Sequence, residues 1–249
     1  MDASERIIPG VASAIRSERY SEAIACFAAG SILRGERTAY SDIDLVVVFT
    51  SLPRAYRESF RYGGYPVEAF VHDPETLEYF FLEIDGPSGV PALAHMVVEG
   101  VEIPGSNEVS RALKERAASI IAAGPPPLDT DSDQRRRYAI TDLLDDLRDP
   151  RSTEELIATG ARLFQELADY YLRRQGLWSA TGKAIPRVLR QTDVALSARY
   201  SHSFDRLFTR GEAQDVIELA EELLAPRGGL LFEGYRADAP ASWRRPTTP

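Results

Sequence analysis

The stretch GSILRGERTAYSDIDLVVVF, residues 30–49, decides how the first part of this chain folds. It begins with a Gly-Ser pair, continues through Asp42 and Asp44, and ends in an apolar, β-branched run. β-Branched residues favour strands, and residues at i and i+2 of a strand project from the same face. Two carboxylates on one face repel each other unless a cation lies between them. The stretch therefore predicts a buried strand that carries a ligand site at its beginning.

Further strands are predicted on both sides of this stretch. The apolar run AIACFAA, residues 23–29, predicts a buried strand that leads into the Gly-Ser turn. Residues 57–73 contain two alternating segments, and Gly63-Gly64 lies between them as the turn of a β-hairpin would. In the second arm of that hairpin, Glu68 lies between two apolar residues and therefore faces away from them.

Helices are predicted for the rest of the chain. From about residue 74 the apolar period changes from two to 3.6, and the proline run GPPP at residues 124–127 predicts a domain boundary. We predict an α/β (α+β) domain with a small mixed sheet over residues 1–124, then an all-α bundle of about four helices over residues 128–235. Residues 236–249 are expected to form a disordered tail. The individual helices are expected near residues 11–20, 74–84, 112–123, 134–148, 152–171, 193–208 and 212–224.

Composition and charge limit the possible function classes. The chain has 249 residues and a net charge of −9, which argues against a general nucleic-acid-binding surface and favours a small or cationic substrate. Its single cysteine, Cys26, lies in an apolar run and excludes an internal disulfide. The N-terminal residues have no signal-peptide pattern, and no apolar run approaches the roughly 20 residues of a membrane span. A cytoplasmic protein is therefore expected.

One constellation of residues indicates a specific chemistry. Gly30-Ser31, ten intervening residues, the pair Asp42-x-Asp44 and Glu68 on a later strand form a pattern that resembles the DNA polymerase β-like nucleotidyltransferase superfamily. Transfer at the α-phosphate of a nucleoside triphosphate is served by two divalent ions roughly 3.5–4 Å apart. Hard cations such as Mg²⁺ prefer carboxylate oxygens. The two aspartates are expected to bridge both ions, and Glu68 is expected to complete the ion on the nucleophile side.

The same resemblance implies a phosphate-binding turn. The backbone N–H groups of Gly30 and Ser31, together with the serine hydroxyl, can hold phosphates at a helix N-terminus. Arg34 is either a phosphate ligand or an ordinary surface arginine. Two other acids, Glu58 and Asp73, lie close enough in the sequence to compete for the place of the third carboxylate.

The C-terminal half carries a second resemblance. YAITDLLDDLRD, residues 138–149, and LWSATGKAIPRVLRQTD, residues 177–193, resemble the helical part of aminoglycoside (kanamycin/streptomycin-type) nucleotidyltransferases and their uncharacterised bacterial relatives. The resemblance implies an acceptor cleft between the domains, with Lys183 either a phosphate contact or an ordinary helix-start lysine. A helical-domain carboxylate would then accept the proton of the acceptor hydroxyl. Asp142 is favoured because it is nearest the start of its helix, although a solvated acidic face also explains the three candidates, Asp142, Asp145 and Asp146.

The sequence as a whole predicts a Mg²⁺-dependent nucleotidyltransferase with two ions. It is expected to move a nucleoside monophosphate, AMP from ATP, to a hydroxyl of a small molecule, and an aminoglycoside-like cation would be attracted to an acidic cleft. One alternative is the same chemistry on a protein or an RNA, as in a toxin–antitoxin pair, and the acidic charge disfavours the RNA version. Another is a nucleotide-binding regulatory module without turnover. The presence of mutually repelling carboxylates disfavours that alternative.

Overall fold

The computed structural model describes residues 3–30 and 41–244. The chain divides into two compact units, Met1–Pro126 and Pro127–Pro249. The first unit contains a five-stranded sheet with helices, and the regular elements within residues 127–244 are all helical. This arrangement confirms the predicted fold class, a small mixed sheet with helices followed by a helical C-terminal region. No helix in the described ranges is both long and apolar enough to cross a membrane.

The sheet mixes parallel and antiparallel pairing. Its strands lie in the order β3-β4-β2-β1-β5, where β2 and β4 are parallel and the other neighbours are antiparallel. The predicted hairpin is present, and Gly63 and Gly64 form its turn with φ of 57° and 88°. The strands are β1 (Ala25–Ala29), β2 (Ile43–Val48), β3 (Tyr56–Tyr62), β4 (Tyr65–His72) and β5 (Val101–Glu102).

The two faces of the sheet differ in chemistry at the start of β2. On one face, alternate residues of β2 and β4 are buried in an apolar cluster with α1: Ile43, Leu45, Val47, Val67, Ala69, Val71, Ala12 and Ile15. The other face, which we call the carboxylate face, bears Asp44 of β2 and Glu68 of β4. Asp44 pairs directly with Glu68 on one side and with Ala29 of β1 on the other. The burial of one face therefore determines which side chains appear on the other.

Helices complete the first unit. Asp73 caps the predicted helix that follows β4 by accepting a hydrogen bond from the backbone N–H of Thr76 at 2.8 Å. A π-helix, Phe80–Asp85, continues that helix. The sequence-based prediction did not include α4, and it began α5 too late because Asn107 provides an earlier N-cap. The α-helices are α1 (Ala3–Arg19), α2 (Pro74–Tyr79), α3 (Gly86–Ser88), α4 (Ala92–Glu99) and α5 (Glu108–Ala123).

The second unit packs five α-helices around a leucine-rich core. They are α6 (Thr130–Arg148), α7 (Thr153–Arg174), α8 (Ile185–Thr192), α9 (Val194–Arg210) and α10 (Gln214–Leu224). The estimate of about four helices did not count α8, a helix of eight residues that follows the 3-10 turn Gly182–Ala184. Pro186 lies in the first turn of α8, where a backbone N–H has no intrahelical partner to lose. Ser152 caps α7 as the sequence predicts.

Three short 3-10 turns, Gly182–Ala184, Ala225–Arg227 and Ala241–Trp243, complete this unit. The last of them lies within the segment that the sequence predicts to be a disordered tail. Residues 245–249 of that segment lie outside the described residues.

Candidate active site

Two strands bring three carboxylates together at one edge of the carboxylate face. Asp42 directly precedes β2, Asp44 is the second residue of β2, and Glu68 pairs with Asp44 across the parallel ladder. One carboxylate oxygen from each of the three side chains lies within 4.8 Å of the others. All three residues are half-buried. The structure therefore places together the three acids that the sequence nominates as cation ligands.

The register of β2 on β4 keeps these acids in place. Ile43 and Leu45 flank Asp44, and Val67 and Ala69 flank Glu68, and all four apolar side chains are buried. A slip of one residue would turn Asp44 or Glu68 into the buried apolar cluster. The hydrophobic burial of one face thus holds like charges together on the other.

The electrostatics of the trio favour a divalent cation. Two unit negative charges about 5 Å apart repel each other by roughly 3 kcal/mol at an effective dielectric constant of about 20. A hard cation removes that repulsion, and carboxylate oxygens are the ligands that Mg²⁺ prefers. The donor set therefore fits Mg²⁺. Among the residues that the structure describes, no second group of three His, Cys, Asp or Glu side chains converges in this way.

Gly30 lies at the end of β1, directly against the Asp44 carboxylate. A Cβ atom at this position would lie 2.7 Å from Oδ2 of Asp44, closer than real Cβ contacts. The φ of Gly30 is also 101°, in the region that favours glycine. Contact and backbone conformation therefore both require a glycine here. Ser31 and Arg34, the other predicted nucleotide contacts of this segment, lie outside the described residues.

The structure gives the two competing acids other partners. Glu58 accepts hydrogen bonds from the Tyr20 hydroxyl at 2.6 Å and from Arg19 at 3.1 Å. Ser59 pairs with Glu68 and therefore lies on the carboxylate face. Glu58 is the residue before Ser59 in the strand, so its side chain lies on the opposite face. Asp73 is the N-cap of α2, and the hydrogen bond from the Thr76 backbone lowers the pKa of its carboxyl. Neither acid competes with Glu68 for a place beside Asp44.

Sequence reasoning missed a basic residue in this region. Arg57 of β3 donates through Nη2 to Oε2 of Glu68 at 2.5 Å. Its guanidinium carbon also lies 4.8 Å from the centre of the Phe70 ring. When residues are counted outward from the Gly63-Gly64 turn, Ser59 lies opposite Glu68. Arg57, two residues before Ser59, is therefore a diagonal neighbour of Glu68. The hairpin register was therefore the signal that could have identified Arg57.

In the helical unit, the predicted residues are exposed. Lys183 lies in the 3-10 turn before α8. The three candidate bases lie on α6, and Asp145 forms an ion pair with Arg148. Asp142 and Asp146 are one turn apart and therefore share a face of this helix. Their exposure is compatible with contact to a substrate and equally with a solvated helix face.

Comparison with known proteins agrees with the chemistry of the sheet unit. Residues 12–83 match the family model described as a nucleotidyltransferase domain. A search of the curated proteins gives no match. One similar solved structure is a nucleotidyltransferase-like protein from Exiguobacterium sibiricum 255-15, with 16% identity, a TM-score of 0.43, and coverage of 88% of this chain and 75% of that one. The matched residues include both strands that carry the carboxylates, so this part of the sheet unit is similar to a nucleotidyltransferase domain.

Proposed function

We propose that this protein is a Mg²⁺-dependent enzyme that transfers a nucleoside monophosphate, AMP from ATP, to a hydroxyl group of a small molecule. The observation that carries the proposal is the convergence of Asp42, Asp44 and Glu68 within 4.8 Å, inside a segment that matches a nucleotidyltransferase domain. A non-catalytic module would have no use for three like charges that a sheet register forces together.

Each carboxylate has a proposed role. Asp42 and Asp44 would hold two ions between them, and Glu68 would complete the site on the side of the attacking hydroxyl. Bound divalent ions would supply Lewis-acid stabilisation of the charge that develops on the phosphate oxygens. The tight approach of Gly30 to Asp44 brings the backbone of Gly30 next to this centre. The N–H groups of the Gly-Ser turn, with Ser31 and Arg34, are the proposed phosphate contacts.

The helical unit has a proposed part in the reaction as well. Lys183 is proposed to contact a phosphate of the triphosphate, and Asp142 is proposed to accept the proton of the acceptor hydroxyl. Both side chains are exposed and thus accessible to a substrate. The net charge of −9 favours a cationic acceptor of the aminoglycoside type.

A transfer assay tests the function directly. The full chain is incubated with Mg²⁺, each α-labelled nucleoside triphosphate in turn, and acceptors drawn from aminoglycosides, proteins and RNAs. We expect label from ATP on a small-molecule hydroxyl, with release of pyrophosphate. The double variant Asp42→Asn, Asp44→Asn, and a reaction in which a chelator removes Mg²⁺, measure the background level of label transfer. Label on a protein or an RNA would contradict the acceptor, and absence of transfer from every triphosphate would contradict the function.

Once an acceptor is found, separate Asn substitutions at Asp142, Asp145 and Asp146 test the proposed base. A positioned general base contributes about 10²–10⁴-fold, so Asp142→Asn should lower kcat by at least about 10²-fold with little change in nucleotide affinity. Asp145 already pairs with Arg148, and its variant should have a much smaller effect. If all three variants keep normal kcat, the proton is transferred to another group and Asp142 has no catalytic role.

A further inference from the structure

Arg57 is held between two partners on the carboxylate face. Its Nη2 donates to Oε2 of Glu68 at 2.5 Å, and its guanidinium lies over the ring of Phe70, 4.8 Å from the ring centre. Glu68 and Phe70 are alternate residues of β4 and therefore project from the same face. A planar guanidinium offers donors to the carboxylate and a flat face to the ring, whereas a lysine ammonium is a compact point charge. The pair thus fixes the orientation of the Glu68 carboxylate.

The neighbouring arginine of the same strand provides an internal comparison. Glu68 pairs with Ser59, and Arg57 and Arg61 lie two residues before and after Ser59 on the same face of β3. Both arginines are therefore diagonal neighbours of Glu68, at equal register offsets. Arg61 instead donates to the backbone carbonyl of Gly64 at 3.4 Å. Of the two arginines, Arg57, which lies beside Phe70, is the one that contacts the Glu68 carboxylate.

A cationic partner on a cation ligand has two opposite consequences. The hydrogen bond to Oε2 holds the carboxylate in one orientation and leaves its second oxygen for a cation. The positive charge, however, lies a few ångströms from the place where that cation would be bound and repels it. Hydrogen-bond partners that orient cation ligands without repelling the cation raise the affinity for the cation and the activity. A positively charged partner should instead raise the activity while it lowers the affinity for the cation.

We propose that Arg57 is a positioning residue that orients Glu68 for transfer while it weakens the binding of the divalent cation. This inference rests on the proposed function for its kinetic consequence, whereas its consequence for cation binding stands without it. Loss of Arg57 should therefore slow the reaction and tighten cation binding at the same time. If Arg57 only supported the fold, its loss would lower both the reaction rate and the affinity for the cation.

The experiment compares four forms of the full-length protein: wild type, Arg57→Ala, Arg57→Lys and Arg61→Ala. Binding of Mn²⁺ alone is titrated without nucleotide, kcat and KM are measured with ATP and an identified acceptor, and thermal unfolding is followed without cation. Arg57→Ala should bind Mn²⁺ about 3- to 10-fold more tightly, as the loss of one nearby charge in a partly solvated site predicts. Its kcat should fall about 10- to 100-fold, the range for partners of cation ligands.

The two other variants separate charge from orientation. Arg57→Lys keeps the charge but loses the planar guanidinium, so its Mn²⁺ affinity should stay at the wild-type level while its kcat lies between wild type and Arg57→Ala. Arg61→Ala removes an equal charge at the equivalent diagonal, where no contact to Glu68 exists. We expect no change in its kcat and a smaller change in its Mn²⁺ affinity.

Defined outcomes overturn the proposal. Unchanged or weaker Mn²⁺ binding by Arg57→Ala would contradict the repulsive role, and an unchanged kcat would contradict the positioning role. Equal effects of Arg57→Ala and Arg61→Ala would reduce Arg57 to a general surface charge. If the wild-type protein transfers no nucleotide at all, the proposed function fails, and the Mn²⁺ titration by itself decides the effect of Arg57 on the cation.

Discussion

The acids of the sheet unit and the acids of α6 show two ways in which a chain can place carboxylates near one another. Asp44 and Glu68 are distant in the sequence, and strand pairing brings them and Asp42 within 4.8 Å. Asp142, Asp145 and Asp146 are adjacent in the sequence, yet they lie exposed along a helix, where Asp145 pairs with a neighbouring arginine. The convergence of Glu68 with the aspartate pair therefore follows from tertiary register, whereas closeness in sequence alone does not bring the three acids of α6 together.

The difference lies in what opposes the electrostatic repulsion. On α6, each carboxylate is solvated and can turn away from the next, so the cluster carries little energetic cost. In the sheet, burial of Leu45 and Ala69 on the apolar face prevents Asp44 and Glu68 from moving apart. A carboxylate cluster that the fold forces together indicates a cation site, and one that merely follows the sequence does not.

The largest effect is expected at the aspartate pair. Asp42→Asn and Asp44→Asn should each lower transfer by at least about 10³-fold, because bound ions supply several kcal/mol of transition-state stabilisation and 1.36 kcal/mol corresponds to tenfold in rate. Each variant also removes one of the repelling charges, so its unfolding temperature without cation should equal or exceed that of the wild type. Transfer assays and thermal unfolding check both statements. Near-normal turnover in either variant would mean that the cluster is not the catalytic site.

A slightly smaller effect is expected at Glu68. Glu68→Gln should lower kcat by about 10²–10³-fold, because it removes a ligand to one ion while the aspartate pair remains. Nucleotide affinity should largely persist, since the proposed ion on the leaving-group side would be bound with the triphosphate. Glu58→Gln is the matched control, because Glu58 lies on the same hairpin but bonds to Tyr20 and Arg19. Equal loss of affinity and rate in Glu68→Gln would indicate a structural role instead.

A third prediction concerns the backbone that supports the pair. Gly30→Ala places a Cβ 2.7 Å from Oδ2 of Asp44 and forces alanine to a φ of 101°. We expect a loss of roughly 1–3 kcal/mol in unfolding free energy from the backbone strain, and weaker Mn²⁺ binding because the Asp44 carboxylate must move. Gly64→Ala is the matched control: its φ is 88°, but no atom lies within 4 Å of the added Cβ.

Gly64→Ala should therefore lose stability by a similar amount and keep its Mn²⁺ affinity. Urea denaturation of both variants measures the cost of the backbone strain that they share. Mn²⁺ titration measures the effect of the contact with Asp44, which only Gly30→Ala makes. If the two glycine variants bind Mn²⁺ equally well, the approach of Gly30 to Asp44 does not shape the site.

The sequence was informative where burial and local chemistry act together. The β-branched run after Asp44 and the turn at Gly63-Gly64 predicted β2 and the hairpin, and with them the face on which Glu68 lies. The sequence could not rank Glu68 above Glu58 and Asp73 with certainty, because that choice depends on partners from other elements.

Other features depended on contacts that leave little or no pattern in the sequence. The strand β5 has two residues, too few to show a period, and α8 has only eight residues, with Pro186 in its first turn. The contact of Gly30 with Asp44 and the placement of Arg57 over Phe70 arise from strand pairing. The roles of Asp142 and Lys183 remain predictions, because an exposed side chain is explained equally well by solvation.

The smallest effect on nucleotide transfer is expected at a single buried acid outside the site, which tests what burial alone does to the stability contributed by a carboxylate. Asp85 ends the π-helix, and its Oδ2 accepts a hydrogen bond from the backbone N–H of Leu93 at 3.1 Å. Burial raises its pKa from 3.8 to about 6. Because the folded state then holds the proton more tightly than the unfolded state, stability from this group is complete below about pH 4 and is lost as the pH rises to about 6.

Asp85→Asn keeps an oxygen acceptor for the Leu93 N–H and removes the charge, so it should abolish this part of the pH dependence. A shift of about two units corresponds to about 3 kcal/mol, which sets the upper limit of the effect. We expect the unfolding free energy of the variant, measured in urea without cation at pH 4, 5, 6 and 7, to rise relative to that of the wild type up to about pH 6 and to stay parallel above it. Parallel curves throughout would mean that the backbone hydrogen bonds fully offset the burial of this carboxylate. In that case burial of an acid would not by itself oppose folding in this protein.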